Sequence, residues 1–423
     1  MSQAFQQTRE LLEFIFKPGA ELFKAKGGSK AFLGEVIECL GGPFEELLAA
    51  WDSGDKPVVL FENALVPQLL YAFDCAPLCM EAQPVIFSGS NVEVVHKFLA
   101  LAEEAGLPTD LCSTDRFFVG ASLAGEYPPE AHYITTTMPC DGTRTAYPIL
   151  EKIFQNRMCY IESTNMAGQE AARWFGNQLK TTLIPFLEQI TGQRFDIDRF
   201  REVVEESNKA FELMTEIHEA YTMIPAPHRS AIRRVPHVGY MTQAGNPRLT
   251  EFFEKMLADI KRLIGDEVPP KYEEKHRVLW AHIPPAHDPD LFAWMENQFG
   301  ATVVAYTIMG PRMMPIDTTD MDTMMEGYAW QGLDLSMSLL RLGAQDMLDY
   351  MHDLYRLFQC DCIIMTQHVG CSNICGKEGV ARYLCKKYDA PLLLLELDYN
   401  DDRITSKEAL REKVETFFTT VMK

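Results

Sequence analysis

The chain has 423 residues, 47% apolar and 23% charged, which describes a globular protein long enough for two or three domains and excludes a disordered one. Its 60 acidic and 39 basic residues leave a formal charge of -21, which repels a phosphate backbone and, with no basic stripe interleaved with aromatics, argues against nucleic-acid binding. No apolar run is long enough to cross a bilayer and no basic-then-apolar leader opens the chain, so neither a membrane span nor export is expected, and the predicted location is the cytoplasm.

Residues 1–55 carry apolar side chains at helical spacing, as in Leu11, Leu12, Phe14 and Ile15 and then Leu33, Val36, Ile37 and Leu40, and are expected to be helices packed outside a sheet. From Lys56 short apolar runs alternate with helical ones, at 57–61, 66–73, 76–80 and 92–105, followed by strands at 132–137 and 157–162. That alternation predicts parallel βαβ units and a first α/β domain over residues 56–165. Residues 166–275 show almost no strand signal, only amphipathic stretches such as 171–191 and 196–221, and are expected to form a helical segment. Alternation resumes with strands at 277–282, 301–306, 362–366 and 391–397 and helices at 290–299, 335–358 and 377–388, predicting a second α/β domain over residues 276–423. No internal repeat or low-complexity tract is present.

Eleven cysteines without an export signal predict a reducing compartment, where thiols are core residues, metal ligands or nucleophiles. Cys39, Cys159, Cys360, Cys362 and Cys385 lie in apolar or helical settings and read as small buried hydrophobes. Three others differ. Cys112 in Asp-Leu-Cys-Ser, Cys140 in Pro-Cys-Asp-Gly and Cys371 in His-Val-Gly-Cys each sit where a strand or loop is expected to give way to a turn or helix start. Ligands of open parallel sheets bind beyond the carboxyl ends of the strands, so all three could meet in a cleft between the two α/β domains. Three thiolates gathered from separate loops suit an iron-sulfur cluster with one iron left open, and a helix expected after Cys371 would favour its thiolate; the alternative is a set of ordinary core thiols.

Absent motifs narrow the chemistry. No Gly-x-x-x-x-Gly-Lys-Ser/Thr and no Gly-x-Gly-x-x-Gly after a strand is present, so neither a phosphate-cradling ATPase loop nor a dinucleotide site is supported. Cys-x-x-Cys pairs and His-Glu-x-x-His are missing as well, which argues against zinc. Arg229, Arg233 and Arg234 beside His228 form the densest basic patch. It could hold the phosphates of an anionic ligand such as coenzyme A, or be a solvated face. Met309, Met313, Met314, Met321, Met324 and Met325 could line an acyl pocket or fill irregular core space.

At Asp-Leu-Cys112-Ser, Pro-Cys140-Asp-Gly, the helix opening at Phe195-Asp-Ile-Asp-Arg, His368-Val-Gly-Cys371 and Glu396-Leu-Asp398 with Arg403, the chain resembles the family of 2-hydroxyacyl-CoA dehydratase and benzoyl-CoA reductase subunits from about Lys56 onward. The resemblance implies two Rossmann- or flavodoxin-like α/β domains flanking a helical segment, with an N-terminal helical extension and a [4Fe-4S] cluster on Cys112, Cys140 and Cys371. It implies electron-driven chemistry on an acyl-CoA thioester, with a separate ATP-dependent iron-sulfur activator protein and a related second subunit as partners. Aligning Pro67 with the proline of the dehydratase pattern points to Asn63 and Glu81 as catalytic residues, Glu81 as general acid or base; a solvated carboxylate is the plain alternative. Asn63 stands where a serine or cysteine is usual, and Gln68-Leu69 lacks the acid often found there. Cys75, Cys79 and Cys375 could extend the set toward the bridged double cubane of some relatives, but their contexts match that branch poorly, and Cys375 reads as a spare thiol. Three functions follow: a dehydratase subunit first, a reductase subunit for an aromatic or enoyl acyl-CoA second, and an electron-relay or scaffold subunit third.

Overall fold

The computed structural model describes residues 4–27, 30–137, 140–164, 166–266, 272–308, 314–335, 343–371, 374 and 376–423. Its framework is two four-stranded, all-parallel sheets. The first contains β1 (Val58–Phe61), β2 (Ala76–Cys79), β3 (His132–Thr136) and β4 (Met158–Ile161), in the order β2-β1-β3-β4. The second contains β5 (His276–Ala281), β6 (Ala301–Tyr306), β7 (Cys362–His368) and β8 (Leu392–Leu397), in the equivalent order β6-β5-β7-β8. Central strands such as Val58-Val-Leu-Phe are apolar at every position because helices cover both faces of a parallel sheet.

Side-chain alternation along the strands divides the interior. In the first sheet, Val58, Leu60 and Tyr133 pack outward with Phe98, Phe117 and Leu150, while Val59, Phe61, Ile134 and Ile161 face the other way. In the second, Val278, Trp280 and Ile364 join Phe292 and Phe417, while Leu279, Ala281, Ile363 and Met365 face the same shared core as Val59 and Phe61. The helical segment fills that shared core, with α1 (Ile197–Ala220) and α2 (Pro247–Gly265) supplying Phe200, Ile217, Phe253 and Met256. One apolar core therefore spans both sheets, and it fixes how they face each other. No helix is long and apolar enough to cross a membrane among the described residues.

The start of one expected helix requires correction, and the methionine run takes its core-filling alternative where it is buried. Of the helix foreseen at 335–358, the described part is α4 (Ala344–Leu357), which begins after Gly343 adopts an extended backbone with ψ 161; α3 (Met321–Leu335) precedes it, and residues 336–342 lie outside the described residues. Met324 and Met325 on α3 are buried core, Met314 is 70% exposed, and Met309 and Met313 fall outside the described residues.

The basic patch is also corrected. Arg233 is fully buried, and its guanidinium donates to the carbonyls of Pro227 at 3.1 Å, Val303 at 2.8 Å and Ala226 at 3.1 Å, and to that of His228. Three of these carbonyls belong to the loop after α1, where no helix or strand satisfies them, and Val303 lies on β6, so the guanidinium joins that loop to the second sheet. Arg229 pairs with Glu296 at 3.5 Å and Asn297 at 2.9 Å. Among the described residues only the Arg234 side chain, of the three, has no hydrogen bond or ion pair, so the three do not act as one cluster. Arg233→Ala should lower the unfolding free energy by about 3 kcal/mol, because several buried acceptors lose their donor together. Denaturant unfolding measures this, and a loss below ~1 kcal/mol would show that water replaces the guanidinium.

Candidate active site between the two sheets

Both sheets reverse their strand order at one place, between β1 and β3 and between β5 and β7. Such switch points leave a crevice beyond the carboxyl ends of the strands. Here the two crevices open into one pocket. Glu62 and Asn63 follow β1, Glu81 follows β2, Cys140 follows β3, His282 follows β5, Gly370 and Cys371 follow β7, and Tyr399 follows β8. Cys112 and Asp115 complete the wall from the start of α5 (Ser113–Leu123). The three singled-out cysteines and the pair Asn63 and Glu81 thus line a single pocket. Cys75 and Cys79 do not line it, and Cys375 lies outside the described residues.

Local backbone chemistry explains the convergence. Cys112 and Cys140 are the N-cap residues of α5 and α6 (Asp141–Phe154), so two thiols lie at positive helix ends. Behind Cys371 the expected helix falls largely on residues 372, 373 and 375, outside the described residues; Ile374 is helical, and the next full helix starts at Glu378. Cys371 reaches the pocket through Gly370, whose φ of +84° suits glycine and where a Cβ would lie 2.6 Å from the Cys112 nitrogen. The second domain's loop therefore rests directly on the first domain's thiol-bearing turn. At Gly142 a Cβ would lie 2.0 Å from Asp115 Oδ2, so the α6 start also closes on the site.

Three carboxylic acids stand beside the thiols. Glu62 Oε2 accepts from Thr135 Oγ1 at 2.9 Å, from the Thr136 nitrogen at 2.8 Å and from Thr136 Oγ1 at 3.0 Å. Asp115 Oδ1 accepts from Thr143 Oγ1 at 3.0 Å, and its Oδ2 lies 3.7 Å from Cys140 Sγ. Glu81 Oε2 accepts from the Asn63 nitrogen at 3.0 Å and faces Cys79 Sγ at 3.5 Å. Burial raises the Glu62 pKa to about 7 and the Asp115 pKa to about 6, and burial with the neighbouring Glu62 drives Glu81 well above the carboxylate range. Burial, followed by the Asp115 charge, likewise raises the thiols of Cys112 and Cys140.

No lysine or arginine is among the described lining residues. Burial without a cation in that lining thus favours the protonated forms of these acids and of the Cys112 and Cys140 thiols relative to their ordinary values. A cationic iron centre supplies that charge and takes thiolate ligands, so the donor set fits an iron-sulfur group on Cys112, Cys140 and Cys371.

The opposite wall is aromatic. His368 stacks on Tyr399 with centroids 3.9 Å apart, and the Tyr399 hydroxyl meets His282 Nε2 at 3.2 Å. His282 has φ +76°, a strained value for a non-glycine residue, and burial lowers its pKa to about 3. Glu62, Asp115, Thr143, His282 and Tyr399 were not singled out from the sequence. Each polar residue at a strand's carboxyl end was a usable signal, but Asp115 and Thr143 lie inside helices and gave none. A larger groove of about 510 Å³ runs between residues 169–178 and α3, but it holds no thiol, and its charges pair internally as Arg173–Glu326 at 3.1 Å and Lys180–Asp322 at 2.7 Å.

The acid wall has a consequence for metal-free protein. Glu62 holds its proton in the folded chain up to about 7 but releases it near 4.5 when unfolded, so its stabilising protonation is complete below the unfolded value and lost as pH rises through the folded one. Unfolding free energy of apoprotein should fall between those two pH values, and Glu62→Gln should flatten that slope. A Glu62→Gln protein that loses stability as steeply as the native one would remove this group from the account.

Comparison with known proteins agrees with the site. The family described as 2-hydroxyglutaryl-CoA dehydratase, D-component, matches residues 66–421. A benzoyl-CoA reductase subunit from Thauera aromatica is 24% identical over 414 residues, covering 91% of this chain and 93% of the relative. Because the match covers most of the chain, including the whole second sheet and every thiol of the pocket, the protein belongs to the 2-hydroxyglutaryl-CoA dehydratase D-component family.

Proposed function

We propose that this chain is the iron-sulfur subunit of a low-potential acyl-CoA enzyme, specifically a 2-hydroxyacyl-CoA dehydratase, with a [4Fe-4S] cluster on Cys112, Cys140 and Cys371. The observation that carries this reading is the meeting of those three thiols from two sheets in one acid-lined pocket that lacks a cation among its described lining. When bound, the cluster supplies one-electron transfer and a Lewis-acidic iron facing the thioester. The chain's own residues supply the rest. The shared core and the Gly370 contact keep water out of the pocket floor, where electrostatic interactions are strong.

Glu81 is the proton donor. Its Oε2 accepts from the Asn63 nitrogen, which leaves Oε1 free to carry a proton, and burial with the neighbouring Glu62 raises its pKa. Asn63 orients that carboxyl through its backbone and places its own amide at the pocket. Arg234, the one arginine of its patch without a partner among the described residues, is the candidate for a phosphate of the acyl-CoA. A second reading, a subunit reducing an aromatic or enoyl thioester, is favoured by the likeness to the benzoyl-CoA reductase subunit. Turnover requires a related second subunit and a separate ATP-hydrolysing activator, since this sequence has no phosphate-cradling loop; a cytoplasmic, oxygen-free setting suits such chemistry.

Anaerobically purified protein should contain about four iron atoms per chain. Replacing Cys112, Cys140 or Cys371 by Ala should remove most of that iron, whereas Cys159→Ala and Cys385→Ala should retain it; equal loss from all five rejects the ligand set. Assays of the reconstituted complex with a panel of 2-hydroxyacyl, enoyl and aryl-CoA thioesters separate dehydratase from reductase, and failure to bind any of them would reassign the chain as an electron relay. Glu81→Gln should keep iron and thioester binding while lowering turnover on the order of a hundredfold. Loss of iron in that variant would make Glu81 a ligand.

A further inference from the structure

If Cys112 is a cluster ligand, as proposed above, its sulfur has a second partner. His368 Nε2 lies 3.2 Å from Cys112 Sγ, within reach of an N–H···S hydrogen bond. A thiolate can only accept, so the imidazole facing it must carry its hydrogen on Nε2, whatever the thiol did before iron arrived. The ring is held in that orientation from several sides. It is 1% exposed and stacks on Tyr399 with the planes 13° apart, while its Nδ1, 3.9 Å from Asp398 Oδ2, makes no hydrogen bond among the described residues. Tyr399 is itself anchored by His282 at its hydroxyl and by His287 Nδ1 at its carbonyl, 3.3 Å away. Asp398 is fixed by the backbone nitrogens of Asn400 at 2.9 Å and Asp401 at 3.0 Å. So much support for one donor exceeds what packing a histidine requires. His368 comes from the second sheet and Cys112 from the first domain, so the bond also spans the two domains.

We infer that His368 is a positioning residue that donates Nε2–H to the Cys112 sulfur and raises the reduction potential of the bound cluster, without itself ligating iron. A hydrogen bond to a ligating sulfur stabilises the more electron-rich, reduced cluster, and hydrogen bonds of this kind are among the terms that set iron-sulfur potentials. In an acid-lined pocket with no cationic side chain among its described lining, reduction adds negative charge where it is already in excess. The imidazole N–H is the dipole best placed to offset that added charge.

The test compares anaerobic wild type with His368→Phe, which keeps a ring to stack on Tyr399 but has no donor, and His368→Gln, which keeps a donor. Iron and sulfide content, the midpoint potential from an EPR-monitored redox titration, and exchangeable-proton couplings by ENDOR after transfer to deuterium oxide are measured. Both variants should keep iron. His368→Phe should be harder to reduce by about tenfold, ~59 mV for a one-electron couple, and should lose one exchangeable coupling, with His368→Gln recovering part of the potential. An unchanged potential in His368→Phe overturns the role, and loss of iron from both variants overturns it in favour of ligation. Should the Phe variant fail to fold, His368→Leu, which also lacks a donor, takes its place. Wild-type protein without iron removes the cluster reading and this role with it, whereas iron-loaded wild type beside a Phe variant of equal potential removes only the role of His368.

Discussion

The constraint on which this structure turns is the concentration of negative-going groups where the two sheets meet. Glu62, Glu81, Asp115 and the thiols of Cys112, Cys140 and Cys371 share one pocket that no described lysine or arginine lines. In the absence of a cation the favoured state is protonated, which is why burial raises the acids and the thiols together. A cationic iron centre would reverse that preference for the thiols, while burial and the neighbouring Glu62 favour the protonated form of Glu81. One arrangement thereby provides both ligands and a proton donor from chemically similar groups, separated by environment.

Holding such a pocket together demands more than local structure. The groups come from beyond the carboxyl ends of four strands, three in the first sheet and one in the second, and from the start of one helix, so their mutual placement depends on the relative orientation of two sheets. The shared apolar core supplies the rigid part of that orientation, because strand residues from both sheets and helix residues from the middle segment pack as one body. The Gly370 backbone against the turn at Cys112 supplies the fine part. Buried arginines complete the frame: Arg233 and Arg277 both donate to carbonyls of the loop after α1, Arg277 through Tyr221 at 3.2 Å and Met223 at 3.1 Å, with Glu274 as its charge partner. They tie the helical segment to the second sheet where regular hydrogen bonding ends.

Arg233 also illustrates how a sequence cluster can mislead. Three arginines in six residues suggest a surface for anions, yet Arg229 sits on extended backbone before the short helix, and the adjacent Arg233 and Arg234 point in different directions. One becomes an internal strut, one pairs with Glu296, and one stays without a partner among the described residues. The methionines after β6 divide in the same manner, Met324 and Met325 into the core and Met314 to solvent.

Much of the architecture was legible in the sequence alone, because its signals are local. Uninterrupted runs such as Val58 to Phe61 and Leu392 to Leu397, separated by helical periods, specify parallel strands without knowledge of their neighbours. Cysteines at strand-to-turn boundaries, and Asn63 and Glu81 just beyond β1 and β2, announce themselves by position along the chain. What only the tertiary structure decided depends on groups distant in sequence sharing one desolvated volume. Asp115 and Thr143 look like ordinary helix residues until α5 and α6 bring them 3.0 Å apart. His368 looks like a strand-end residue until the second sheet presents it to a sulfur 256 positions earlier. Local sequence fixes periodicity and turn chemistry, whereas burial, pKa and hydrogen-bond partners belong to the space between elements, which forms only when both sheets close on their common core.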